Sequence, residues 1–121
     1  MKTVGICFGA TTIQCVKLYR DPEFISVEQV LRVAHEGNPK KAFAALLDEI
    51  DAFDIDAYAV TGRNFRHNVT LTSISEPEAI ECGLINEYTG KEMPDVVISA
   101  GGETQLAYTI GPTGMIVSIR S

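Results

Sequence analysis

With 121 residues, 45% of them hydrophobic, the chain has the length and apolar content of one compact domain around one core. Its formal net charge of −6, from 10 Lys and Arg against 16 Asp and Glu, excludes a nucleic acid or an anionic membrane held by bulk electrostatics, because phosphate binding needs clustered cations. No apolar run approaches the ~20 residues of a membrane span, and Met1-Lys2-Thr3-Val4-Gly5 lacks the apolar core of a signal peptide, so a cytoplasmic address is expected.

Taken in chain order, Thr3 to Gly9 is an apolar run ending at glycine, and Thr12 to Tyr19 continues with partial alternation; the two predict strands joined by a tight turn. After the turn signal Asp21-Pro22, β-branched residues at near-alternate positions predict a third antiparallel strand over Phe24 to His35. Asn38 can cap a helix with Pro39 at its first position, and Ala42, Phe43, Leu46, Leu47 and Ile50 follow at helical spacing. Ala57 to Thr61, ending at Gly62, reads as a buried parallel strand. Ser75 then caps a second helix whose first turn carries Glu76, Pro77 and Glu78, favourable to the helix dipole, and whose inward face is Ala79, Ile80, Leu84 and Ile85. Val96 to Ile98, Gln105 to Ile110 and Met115 to Ile119 complete the chain as strands around the turn Gly101-Gly102. The order strand, strand, strand, helix, strand, helix, strand, strand, strand, a meander followed by parallel crossovers, belongs to the α/β class with a mixed sheet.

Three cysteines, Cys7, Cys15 and Cys82, form an odd set without C-x-x-C spacing, which indicates neither a disulfide framework nor a zinc site. Cys7 and Cys15 lie in apolar runs and are expected as small buried hydrophobes. His67 has no second histidine at ligand spacing, and His35 is distant in sequence, so no metal site is expected. Arg63, Asn64, Arg66 and His67 form a small basic cluster after the fourth strand. It suits either a solvated loop or the recognition of an anion or a partner's carboxylate.

Two strand-turn-strand units, Val4 to Leu18 and Val96 to Ile110, each place a glycine and small hydroxyl residues at the turn, a form that can aim backbone N–H groups at a phosphate. The pair, flanking a strand-helix-strand-helix stretch, resembles the actin, sugar-kinase and heat-shock-chaperone superfamily, with its ribonuclease H-like lobes. Gly5-Ile6-Cys7-Phe8-Gly9-Ala10-Thr11-Thr12-Ile13-Gln14 looks like the G-I-D-x-G-S-T-T-T-K loop of the BadF/BadG/BcrA/BcrD ATPases, the activators of 2-hydroxyacyl-CoA dehydratases and benzoyl-CoA reductases. Ile98-Ser99-Ala100-Gly101-Gly102-Glu103-Thr104 resembles their I-D-I-G-G-Q-D loop, Thr61-Gly62-Arg63 their T-G-R turn, and Ser75-Glu76 with Gly83 the start of their next helix.

The resemblance implies that residues 1–121 are the amino-terminal lobe of a larger actin-like ATPase. ATP or ADP with Mg²⁺ would be its cofactor, and Gly9, Ala10, Thr11, Thr12, Gln14, Gly101, Gly102, Glu103 and Thr104 its phosphate-binding residues. It further implies an acyl-CoA dehydratase or reductase component as partner, a homodimer, and an iron-sulfur cluster carried beyond Ser121. The departures are chemical. The family's first-strand aspartate is Cys7, the aspartate of the second loop is Ser99, and the loop lysine is Gln14, so two hard oxygen anions that suit magnesium and one cation are missing. Glu103 replaces the family's glutamine and is the one candidate catalytic residue, as a base for water or a substitute metal ligand, against a plain solvated carboxylate.

Two readings remain open on these residues: an ATP-binding lobe coupling nucleotide binding or hydrolysis to electron transfer, or a degenerate lobe kept for assembly. A ribonuclease H-type nuclease is set aside because Cys7 denies it the first metal ligand.

Overall fold

The computed structural model describes residues 1–50, 54–62, 69–102 and 104–121. Among them the elements run β1 (Lys2–Phe8), β2 (Thr12–Arg20), β3 (Ile25–Ala34), α1 (Pro39–Glu49), β4 (Ala57–Thr61), α2 (Glu76–Glu87), β5 (Val96–Ala100), β6 (Gln105–Ile110) and β7 (Ile116–Arg120). This is the order the residue pattern predicts, with ends that shift by a residue or two. Where length pointed to a single core, the chain divides into two compact units, Met1–Ile74 and Ser75–Ser121, each with its own hydrophobic cluster.

In the first unit the sheet order is β3-β2-β1-β4, with β1 antiparallel to β2 and parallel to β4. The two-residue period of β1 sends Val4, Ile6 and Phe8 to the core, where Ile13 and Cys15 lie opposite Phe8 and Ile6, and Val60 lies on the other side of Ile6. Helix α1 begins at Asn38, whose side-chain oxygen accepts from the Lys41 N–H at 3.2 Å, and buries Ala42 and Leu46, with Ile50 at its end, against this face. Phe8 and Phe43 meet at 5.2 Å between ring centroids, tilted by 54°, which fixes the last residue of β1 against the helix. At the other end of β1, Asp56 clamps the β4 register. Its carboxylate accepts from Lys2 N–H at 2.7 Å while its own N–H donates to Lys2 O at 2.8 Å. The Lys2 ammonium, hydrogen-bonded to Asp54 at 2.6 Å, holds that carboxyl below its ordinary range.

The same period corrects one expectation. Cys7 follows Ile6 and precedes Phe8, so it falls on the face away from the core and is exposed; Cys15 alone of the first pair is buried, and burial pushes its thiol up. Among the described residues parallel pairing stays within the first unit, where β4 pairs with β1 and, through one bridge, Val60 with Ser73. Strand β5 pairs antiparallel with β6 in a separate sheet of order β5-β6-β7.

In the second unit Ser75 and Glu78 form a reciprocal capping box at the start of α2, and Leu84 is buried with Tyr108 and Ile110. Ile80 and Tyr88 line the same cluster, one turn either side of Leu84, whereas Ile85, predicted to face inward, lies on the next stripe and is 46% exposed.

Strand β4 ends at Gly62, with φ of 128°, where a Cβ would overlap the Phe8 carbonyl oxygen and stand 3.0 Å from the Phe8 Cβ. Both the backbone region and the space require glycine. Gly62→Ala should therefore lower stability by about 2 to 4 kcal/mol, read from the urea midpoint, while Gly90→Ala, at φ of 74° with nothing within 4 Å of its Cβ position, should cost about 1 kcal/mol. Equal losses at the two sites would remove the close approach to Phe8 as the cause. In the folded chain a maleimide should label Cys7 and Cys82 quickly and Cys15 only after denaturation; rapid labelling of all three would contradict the strand register.

Candidate phosphate-binding turns

Strands β1 and β2 are in register through Phe8 and Ile13, which leaves Gly9 to Thr12 as the turn. Gly9 N–H donates to Thr12 O at 2.8 Å, and a Cβ on Gly9 would lie 2.8 Å from that same oxygen, so the closing bond and a side chain exclude each other. An ordinary two-residue hairpin would add the return bond from Thr12 N–H to Gly9 O. Here that bond is not made. Gly9 O accepts instead from His35 Nε2 at 3.1 Å, and the backbone N–H of His35 donates to Thr11 O at 3.0 Å.

The consequence follows from the planar trans peptide, whose C=O and N–H point to opposite sides. Drawing the Gly9 and Thr11 carbonyls toward His35 turns the N–H groups of Ala10 and Thr12 away from it. Among the described residues, the N–H groups of Ala10 and Thr11 donate no hydrogen bond. Successive unengaged N–H groups beside a glycine make a concavity suited to an anion. Thr11 is exposed at its tip, and Gly9, Ala10 and Thr12 are half-buried.

Gln14 is exposed two residues beyond the turn. It stands in register with Cys7 of β1 on one side and Arg32 of β3 on the other, and Thr61 of β4 pairs with Cys7. Thr61, Cys7, Gln14 and Arg32 thus form one row across the sheet face away from the core. The Thr61 hydroxyl oxygen is buried without a partner among the described residues. Arg32, one strand away from Gln14, brings a guanidinium to this row.

The second turn, Gly101 to Thr104, closes in the same way: Gly101 N–H donates to Thr104 O at 2.9 Å, between the register pair Ala100 and Gln105. A Cβ on Gly101 would meet Thr104 O at 3.5 Å, an ordinary contact, so this turn demands glycine less strictly than the first. Ahead of it, the Ser99 hydroxyl donates to the Glu76 carboxylate at 2.5 Å. The two acidic residues opening α2 therefore divide their work. Glu78 accepts from Ser75 N–H at 2.8 Å in the capping box, and Glu76 is held beside the strand that leads into the second turn.

Of the residues singled out in the sequence, Gly9, Ala10, Thr11 and Thr12 come together in the first unit and Gly101, Gly102 and Thr104 in the second. Glu103, Arg63, Asn64, Arg66 and His67 lie outside the described residues. Three functional candidates escaped sequence reasoning, Arg32 among them. Glu76 looked like a helix-dipole partner, and His35 like a histidine without company. For His35 the signal was register: a third antiparallel strand ending near Ala34 must set its last residues beside the first turn.

The donor set suits a phosphate better than a metal. In the first unit the turn presents backbone N–H groups and, at Cys7, a thiol, which is no hard ligand for a divalent cation; in the second unit Ser99 and Glu76 present a hydroxyl and one carboxylate. Among the described residues there is no group of three or more His, Cys, Asp and Glu placed to hold a metal. No helix there is long and apolar enough to cross a membrane.

Neither a protein-family model nor a curated protein sequence matches the chain. Solved structures do. The activator of 2-hydroxyisocaproyl-CoA dehydratase from Clostridium difficile, with bound ADPNP, is similar with a TM-score of 0.73 at 17% identity, covering 99% of this chain and 45% of that one. Component A of (R)-2-hydroxyglutaryl-CoA dehydratase from Acidaminococcus fermentans follows at 0.68 and 20% identity, covering 98% and 46%. The Ppx/GppA phosphatase of Aquifex aeolicus matches at 0.63 and 10% identity, covering 99% and 51%. The chain thus spans about half the length of the structures it matches. Likeness at these identities concerns the fold alone, the mixed α/β architecture that these dehydratase activators share with the Ppx/GppA phosphatase.

Proposed function

We propose that residues 1–121 supply the two phosphate-binding turns of a nucleotide site in a longer, activator-like ATPase. The observation that carries this reading is the common closure of the turns at Gly9 and Gly101, in a fold shared with an activator that binds ADPNP. In it, Ala10, Thr11 and Thr12 offer N–H groups to one part of the phosphate chain, with Arg32 adding charge from β3, and Gly102 and Thr104 serve the other turn. Coupling of nucleotide state to electron transfer into an acyl-CoA dehydratase or reductase belongs to the same proposal. So do a second lobe that completes the cleft, an iron-sulfur cluster outside residues 1–121, and a dimer around it.

Magnesium would enter with the nucleotide and neutralise phosphate charge. Glu76 is the carboxylate on which this chain could hold it, directly or through water, in place of the aspartates that Cys7 and Ser99 replace. Glu103 and the basic residues Arg63 and Arg66 are further candidates for contact with phosphate or partner. The second reading, a degenerate lobe kept for assembly, is favoured by the soft and neutral side chains of Cys7 and Ser99.

Calorimetric titration of ATP and ADP, with and without Mg²⁺, into the longer chain separates the two. The ATPase reading expects micromolar binding that Mg²⁺ strengthens, and a loss of about tenfold in the Mg²⁺-dependent affinity, about 1.4 kcal/mol, in Glu76→Gln. Absence of binding would leave the assembly lobe. Binding indifferent to both Mg²⁺ and Glu76 would retain the phosphate turns and dismiss Glu76 as their metal partner.

A further inference from the structure

We infer that His35 is a positioning residue for phosphate, holding the first turn open so that it can receive an anion. This deepens the reading of Gly9 to Thr12 as a phosphate turn and rests on it.

The imidazole is buried, at 6% exposure, and its two nitrogens are committed to backbone groups of different chemistry. Nδ1 accepts from Gly37 N–H at 3.2 Å, so it bears no proton, and the proton of the neutral ring sits on Nε2, which donates to Gly9 O at 3.1 Å. That carbonyl is the one a regular hairpin would give to Thr12 N–H. By occupying it, His35 substitutes for the turn's own closing bond and leaves the Thr12 N–H for an outside acceptor, turned away from the ring as that of Ala10 is. The backbone of the same residue binds Thr11 O, so a single residue orients both outer peptides of the turn.

The platform beneath the ring is rigid. Asn38 N–H donates to His35 O at 2.7 Å, closing a β-turn whose central residues, Glu36 and Gly37, have φ of 49° and 78°, the left-handed pair of a type I′ turn. Asn38 is also the cap of α1. The turn that launches the helix is therefore the turn that presents Gly37 N–H to the ring and sets the ring against Gly9. A buried histidine serving packing alone would need its nitrogens satisfied, but not by the carbonyl whose loss opens an anion site.

The test uses the ¹⁵N-labelled 121-residue chain and inorganic triphosphate, followed by the amide signals of Ala10, Thr11 and Thr12, in wild type, His35→Gln and His35→Phe. The glutamine amide can donate to Gly9 O and accept from Gly37 N–H; phenylalanine can do neither. The expected result is a saturable shift confined to the turn in wild type, retained within about threefold in His35→Gln and weakened about tenfold or more in His35→Phe, with Leu84 and Tyr108 signals unmoved. Equal affinity in His35→Phe and wild type would overturn the role of His35 while leaving the phosphate turn standing. No turn-centred shift in wild type would overturn the phosphate turn and this inference with it. Should His35→Phe not fold, the long-range ¹H–¹⁵N spectrum of the wild-type ring decides: a proton on Nε2 alone is expected, and a ring protonated on Nδ1 would overturn the arrangement.

Discussion

The peptide joining Phe8 to Gly9 has no room for a side chain on either flank, and the first unit is organised around that closeness. On one side the backbone of Gly62 lies against the Phe8 carbonyl; on the other, Gly9 folds back so tightly on Thr12 O that a Cβ there would stand 2.8 Å away. The Phe8 ring is meanwhile pinned by Phe43 of α1. The end of β1 is thus fixed from the strand beside it, the turn after it and the helix above it. The phosphate role proposed for the turn would draw on this restraint, because loosely ordered donors must be ordered at the ligand's expense.

Strand and helix order was legible in the residues because each element carried its own punctuation. Asn38 with Pro39 and Ser75 with Pro77 marked the helix starts, and glycines 9, 62 and 101 marked the strand ends. What could not be read was assignment between faces and between units. Cys7 looked buried because its neighbours are apolar, yet a two-residue period gives the core to Val4, Ile6 and Phe8 and the opposite face to whatever lies between. The division into two units was hidden because Val96 to Ile98 is as apolar as any strand that would join the first sheet. Only its pairing with β6 shows that it begins another.

Of the candidate site, the turns were legible and their supports were not. Glycine and threonine at a strand end announce a tight turn through local chemistry, whereas Glu76 and His35 act across 23 and 26 residues of chain. Their roles emerge only once pairing registers are known. Cys7, Ser99 and Gln14 look plainly uncharged in one dimension. In three, a carboxylate stands at Ser99 and a guanidinium shares a row with Gln14, each supplied by a neighbouring element.

The two turns close alike and are braced differently, each within its own unit. The first is braced by a neutral ring on backbone carbonyls, a support that adds no charge and leaves the turn's N–H groups as its means of attraction. The second follows a strand that carries a carboxylate through Ser99, which repels a bare phosphate and accepts one accompanied by a cation. The bracing therefore differs in charge: the first support adds none, and the second sets a carboxylate beside the strand ahead of its turn.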